Sequence, residues 1–290
     1  MQNQYKVILF YKFFEITNPE AVKNEQKALC EGCNLKGRML LASEGVNATF
    51  EGTEENLESY KMAMRADPRY QDIVFKESAS DGKAFTSLKI KVRKEVVTLG
   101  AGTFDIRQET AQEISADDFE KLYENNEDFV VLDLRNDYEV QVGYFDKTVN
   151  PELRNFRDLP EKLKGLAPLK NKKVVTVCTG GIRCEKATCL LKREGFDNLY
   201  QLKDGIHTYM QKYPGRNFKG TLFVFDNRMT TPVEGGTKRE VVGRCLSCDI
   251  ACEEIWSDDS LRPSRKIVCC TPCASKMPNL RSTAYPYQNV

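Results

Sequence analysis

The sequence has almost no histidine: His207 stands alone in 290 residues. That scarcity excludes a two-histidine, one-carboxylate iron site built from one chain, and a Ser-His-Asp triad would have to use His207. Long apolar runs are missing too, and nothing approaches the roughly 18 residues that a membrane helix needs. The opening MQNQYKVILFYKFF has no basic start and no small-residue cleavage site, and Lys12 breaks its apolar run. A secretory leader is therefore not expected. No Rossmann glycine motif for a flavin is present. Net charge is +1, so an RNA partner would have to be met by local basic patches rather than by a global field. The expected compartment is the cytoplasm, where thiols stay reduced.

Cysteine is what the chain has in excess, with 11 residues. The most informative of them lies in KKVVTVCTGGIRCEKATCLLKREG, residues 172–195. Val174 to Val177 read as a buried strand that runs straight into Cys178. Thr179, Gly180, Gly181 and Ile182 then turn the chain, and Arg183 opens a helix closed by Gly195. A strand ending in cysteine, a glycine turn and a helix N-terminus make an anion cradle, because backbone N–H groups point inward. A thiol at its centre is expected to have a lowered pKa and to lie within reach of a substrate. This stretch resembles the rhodanese active-site loop, whose cysteine carries sulfur as a persulfide. Related phosphatases have a loop one residue longer, so the Cys178-to-Arg183 spacing argues against phosphate as substrate.

Three parts are expected along the chain. Residues 1–100 read β-α-β-β-α-β with an added strand, a ferredoxin-like α+β domain. Its strands are expected at 5–11, 37–42, 46–51, 72–76 and 84–92, and its helices at 19–33 and from 53 to about 66. Residues 101–215, beyond the linker TLGAGT, alternate helix and strand and imply a parallel sheet flanked by helices, the rhodanese domain. Residues 216–290 form a small Cys-rich segment with strands expected at 221–226 and 241–245. In the first part, Lys89, Lys91 and Arg93 alternate with apolar residues. They are either phosphate contacts or lysines that guard a sheet edge against aggregation. Cys30 and Cys33 form a CxxC near a helix end, read as chance spacing. In the last part, Cys245-x-x-Cys248 and Cys270-x-x-Cys273 have the spacing of a tetrahedral zinc site, with free or redox-active thiols as the other reading.

DLRNDYEVQVGYF (133–145) resembles a second rhodanese signature, in which Asp133 and Arg135 brace the loop or simply form a structural ion pair. Tyr144 stands where that signature has histidine. LKDGI (202–206) resembles the closing element, with Asp204 in place of a second glycine. Taken together, SEGVNATFEGT (43–53), LKIKVRKEVVTLG (88–100), NFRDLP (155–160) and CTGGIRCEKA (178–187) resemble one narrower family, the rhodanese-domain tRNA uridine(34) hydroxylases. The resemblance implies hydroxylation of uridine 34 at C5, with tRNA as partner, molecular oxygen as co-substrate, an unidentified reductant and an essential Cys178. Arg183 would brace the loop and attract anions. Cys184 is a candidate to resolve an oxidised Cys178. Arg154 and Arg157 join Lys89, Lys91 and Arg93 as candidate RNA contacts. A persulfide sulfurtransferase using the same loop is the alternative. The sequence does not give the oligomeric state.

Overall fold

A computed structural model describes residues 4–231, 240–260 and 264–282. The chain divides into two compact units, Met1–Thr98 and Leu99–Val290.

The first unit runs β1 (Tyr5–Phe13), α1 (Pro19–Gly32), β2 (Lys36–Ala42), β3 (Gly45–Thr53), α2 (Glu54–Ala66), β4 (Lys76–Ser80) and β5 (Leu88–Val92). Both helices start where a polar side chain can hold a free amide: Asn18 accepts from Ala21 and Thr53 from Asn56. The sheet order is β4-β1-β3-β2-β5, the ferredoxin-like order with β5 added in parallel beside β2. Strand alternation splits the sheet cleanly. Ile8, Phe10, Met39, Leu41, Ala48 and Phe50 join Tyr60 and Leu57 in the core. The opposite face carries the register row Lys76, Leu9, Thr49, Arg38, Lys89 and beside it Tyr11, Asn47, Leu40, Lys91.

Two expected strands move. Residues 67–73 form turns, with Tyr70 N–H on Asp67 and Ile73 N–H on Tyr70, so β4 begins only at Lys76. The strand expected from residue 84 begins at Leu88, because the Glu51 carboxylate takes the amides of Ala84 and Phe85 at 2.9 and 3.1 Å. Those donors are spent on a side chain and cannot join a ladder.

The second unit begins with α3 (Ile106–Glu109), β6 (Gln112–Ile114), α4 (Ala116–Glu124), β7 (Val130–Asp133), α5 (Asp137–Val140), β8 (Gly143–Phe145) and β9 (Thr148–Val149). It continues with α6 (Leu159–Leu166), β10 (Val174–Val177), α7 (Ile182–Arg193), β11 (Leu199–Leu202) and α8 (Gly205–Lys212). The sheet β6-β11-β10-β7-β9 is parallel throughout. Its middle strand, β10, is buried at every residue, as a β-branched run flanked on both faces must be. Cys178 follows it at the sheet's C-terminal edge, where open α/β sheets place their ligand sites.

The remainder is β12 (Phe218–Gly220), β13 (Leu222–Phe223), β14 (Thr230–Thr231), β15 (Ile255–Asp258), β16 (Arg265–Val268), α9 (Thr271–Ala274) and β17 (Leu280–Ser282). The strand expected at 221–226 shrinks to two residues. The one expected at 241–245 is absent from the described residues there, leaving a single bridge between Arg244 and Ala251. Cys245 instead starts a tight knuckle, accepting from Asp249 and donating to Ile250. Tyr138, Val142, Phe223, Ile255 and Val268 share one apolar cluster, so this segment packs on the region of α5.

Candidate active site

The loop from Cys178 to Gly181 is held from behind by α8. Ile206 N–H donates to the Cys178 carbonyl and His207 N–H to the Thr179 carbonyl, each at 3.0 Å. With its carbonyls turned outward, the loop can turn its amides inward. Gly205 makes this approach feasible: a Cβ there would sit 2.7 Å from both the Cys178 carbonyl oxygen and the Gly181 nitrogen. Gly181, at φ +103°, takes the bend before α7. Asp204 adopts the left-handed conformation that the expected glycine would favour, at φ 60°.

The Gly181 amide donates to Cys178 Sγ at 3.1 Å. The neighbouring amides of Arg183 and Cys184 and the Cys184 thiol also favour the charged form of this sulfur. Burial pushes the Cys178 thiol up, but the Cys184 thiol, the Arg183 charge and the two amides outweigh burial and bring it down to about 6. Cys184 moves the other way: its own burial, then its bond to Cys178, raise it well above the ordinary thiol value.

Arg183 does not point into open solvent. Its guanidinium makes a two-pronged pair with Glu139, at 2.7 and 2.9 Å, and its Nη2 donates to Thr179 Oγ1 at 3.2 Å. Burial of Glu139 would raise its pKa, but the charges of Arg183 and Arg135 hold it below the usual carboxylate range. Arg183 also lies 5.6 Å from the centre of the Phe225 ring.

Asp133 and Arg135 form a fully buried ion pair at 2.6 Å. The Arg135 side chain also donates to the carbonyls of Gly143 (2.6 Å) and Glu139 (3.4 Å). Its contacts thus fix α5, the helix that carries Glu139, rather than Cys178. Glu139 is the site residue that the sequence reading passed over. Its signal is the glutamate of the DLRNDYEV stretch, capped at Asn136, whose amide its side chain accepts.

One expectation is overturned. Cys178 is only 1% exposed, so in this conformation its sulfur is not open to a nucleobase. Cys184 and Cys189 are buried as well, and Cys189 donates to the Glu185 carbonyl as an ordinary helix-interior thiol. Ile182 is partly exposed, whereas Thr179, Gly180 and Gly181 are buried.

Of the basic candidates, Lys89, Arg93, Arg154 and Arg157 are exposed and Lys91 is half-buried. Lys89 and Lys91 share the sheet face turned away from the helices of the first unit. Arg154 and Arg157 belong to the second unit. Cys30 is buried in the first unit's core, with Cys33 packed at its edge, which fits the chance-spacing reading.

All eleven cysteines are free thiols. Cys245, Cys248, Cys270 and Cys273 converge, with sulfurs all within 4.8 Å of one another. A zinc ion with Zn–S bonds of about 2.3 Å sets tetrahedral sulfurs about 3.8 Å apart, so this donor set fits that metal. Cys252 and Cys269 are buried beside the cluster, and Cys269 lies 3.7 Å from Cys245.

Three family models match the chain. Residues 5–96 match the UPF0176 acylphosphatase like domain, residues 115–212 the rhodanese-like domain and residues 219–284 the rhodanase C-terminal family. A tRNA uridine(34) hydroxylase of Cytophaga hutchinsonii is 37% identical over 273 residues, covering 94% of this chain and 87% of that protein. One from Bacillus licheniformis is also 37% identical, covering 93% and 84%. One from Staphylococcus aureus is 40% identical over 244 residues, covering 83% and 76%. With such identity spread over both units and the cysteine-rich segment, the chain belongs to the tRNA uridine(34) hydroxylase family.

Proposed function

We propose that this protein is an oxidoreductase that hydroxylates uridine 34 of tRNA to 5-hydroxyuridine, with Cys178 as its nucleophile. Family membership carries the reaction, and the amide-ringed sulfur carries the choice of residue. A thiol at about 6 is mostly thiolate at neutral pH. C6 of uracil is the electrophilic end of an enone. Bonding of the Cys178 sulfur to C6 moves electrons toward C5 and O4. The electron-rich C5 then takes up molecular oxygen and forms a C5–O bond. Loss of the C5 proton expels the Cys178 thiolate, breaks the C–S bond and leaves a hydroperoxide at C5, which a two-electron reductant then converts, with two protons, to 5-hydroxyuridine and water.

Arg183, fixed by Glu139, steadies the thiolate. Lys89, Lys91, Arg93, Arg154 and Arg157 are proposed phosphate contacts, which position the RNA without reading sequence. Uridine 34 lies in a loop and can be splayed out at low cost. Because the thiol is covered here, entry of the base requires the surroundings of Cys178 to part. The residues Cys245, Cys248, Cys270 and Cys273 would hold a structural zinc, which would tie the two knuckles together and take no part in the chemistry. Among the described residues no helix is long and apolar enough to cross a membrane. A tRNA substrate would place the protein in the cytoplasm.

The test is nucleoside mass analysis of unmodified tRNA incubated with the protein in air. Gain of one oxygen at uridine 34, lost with Cys178→Ser, supports the reading. Gain of sulfur in place of oxygen would make the protein a sulfurtransferase.

A further inference from the structure

We propose that Cys245 and Cys269 form a redox pair, and that its oxidation to a disulfide withdraws Cys245 from the metal and releases the ion. This rests on the structural zinc read at the four-cysteine cluster and is independent of the reaction at Cys178.

Six cysteines lie in the C-terminal segment, and four of them account for a tetrahedral site. Cys269 is left over, yet it borders that site. Its sulfur lies 3.7 Å from Cys245 Sγ and 3.7 Å from the Cys270 carbonyl oxygen. Cys269 is 0% exposed and Cys245 3%. A buried free thiol ordinarily fills a core. What sets Cys269 apart is that its sulfur touches one of the four ligands. Cys248 and Cys270 are also 3.7 Å apart, but both belong to the ligand set, whose spacing a metal would fix by itself. Cys269 is a thiol at the same distance that the metal would not hold.

The backbone keeps the two cysteines together. Leu246 N–H donates to the Val268 carbonyl at 3.0 Å, and Cys245 and Cys269 each adjoin one end of that bond. The Cys245 N–H is fixed on the Ile250 carbonyl and the Cys269 N–H on the Glu254 carbonyl. The Trp256 indole N–H holds the Cys269 carbonyl at 2.8 Å. From 3.7 Å the two sulfurs have about 1.7 Å to close before they reach the S–S length of about 2.05 Å.

The ligand set assigns the roles. With metal bound, Cys245 has given up its proton, and Cys269 keeps an S–H that can donate to that sulfur, an outer-shell contact of the kind that steadies a metal ligand. The oxidant is hydrogen peroxide. The Cys245 sulfur attacks one peroxide oxygen, the O–O bond breaks and an S–O bond forms. The departing hydroxide takes a proton from solvent and leaves as water, and Cys245 is a sulfenic acid. The Cys269 sulfur then attacks Cys245 Sγ. The S–S bond forms, the S–O bond breaks, and the second hydroxide leaves as water with the Cys269 proton. The two sulfurs have lost two electrons and the peroxide has gained them. Cys245 now has no thiolate to offer, and three sulfurs remain for an ion that takes four. A dithiol reverses the change by thiol–disulfide exchange.

The experiment uses full-length protein, reduced, loaded with zinc, freed of reductant and exposed to a small excess of hydrogen peroxide. A chromogenic chelator follows zinc release, and mass spectrometry maps the disulfide. Trypsin leaves Cys245 in residues 245–265 and Cys269 in residues 267–276, and fragmentation of the linked peptides locates the bond. The wild type is expected to lose two thiols per zinc released, with the link between Cys245 and Cys269. Cys269→Ala keeps all four ligands; it is expected to bind zinc as the wild type does and to release it at least about tenfold more slowly. A link elsewhere, or release from Cys269→Ala at the wild-type rate, overturns the proposal and leaves the zinc site standing. Failure of the reduced wild type to hold zinc sinks the zinc reading, and this proposal with it. The disulfide map on the wild type decides the matter even if Cys269→Ala does not fold.

Discussion

Two regions of the second unit are built on cysteine, and they use it in opposite ways. At the loop, one sulfur is singled out: it receives the Gly181 amide, and the Arg183 charge helps to lower its pKa. At the C-terminal knuckles, four sulfurs converge within 4.8 Å of one another. Amides and an arginine can stabilise one thiolate. Four thiolates so close together would repel strongly unless a cation joins them. The same residue type thus serves reactivity where the backbone supplies the countercharge, and structure where a metal would.

That contrast can be broken from either end. The largest effect is expected for Cys178→Ser, which should lower 5-hydroxyuridine formation by about a thousandfold or more, since the nucleophile itself is lost. Nucleoside analysis of the treated tRNA measures it. Cys270→Ser, by contrast, should leave the chemistry in place but release zinc, and with it lower Tm by at least about 5 °C. Elemental analysis and a thermal melt read both; full metal-free stability in the wild type would undo the contrast.

Glu139→Gln sharpens the loop side. It leaves the Arg183 charge buried without its partner, and breaking such a pair costs about 3–5 kcal/mol in unfolding free energy, readable by denaturant titration. The depressed thiol of Cys178 gives a pH test. A lowered pKa means the reactive thiolate persists at pH 7 and is lost as pH falls through about 6. Initial alkylation of Cys178 should therefore slow about tenfold between pH 7 and pH 5, while a thiol of ordinary pKa would already be slow at pH 7. Bound tRNA should speed that alkylation if base entry opens the covered site. The smallest effect belongs to Lys89→Gln with Lys91→Gln: tRNA affinity should fall by about tenfold, with a shallower salt dependence and unchanged zinc content.

Much of the site was legible in the sequence because it is local. Cys178, the glycine turn and Arg183 lie within one strand–turn–helix unit, and a β-branched run followed by glycines permits few other conformations. The two CxxC knuckles are likewise short-range devices. Other contacts depend on residues far apart in the chain. Glu139 meets Arg183 across 44 positions, and Phe225 approaches the same guanidinium from the C-terminal segment. The shifted start of β5 has the same cause, since Glu51 captures amides 33 and 34 residues away.

By itself the sequence determined the order of elements in the first unit, the parallel sheet with its thiol at a strand end, and the spacing of the four clustered cysteines. Hydrophobic period, turn chemistry and ligand spacing are written over a few residues at a time. Tertiary structure alone decided that Arg183 is neutralised by Glu139, that Phe225 approaches the same guanidinium, and that the sulfur of Cys178 is covered. Each of those depends on which side chains the fold brings into one low-dielectric space, where burial, charge and hydrogen bonding act together on a single proton.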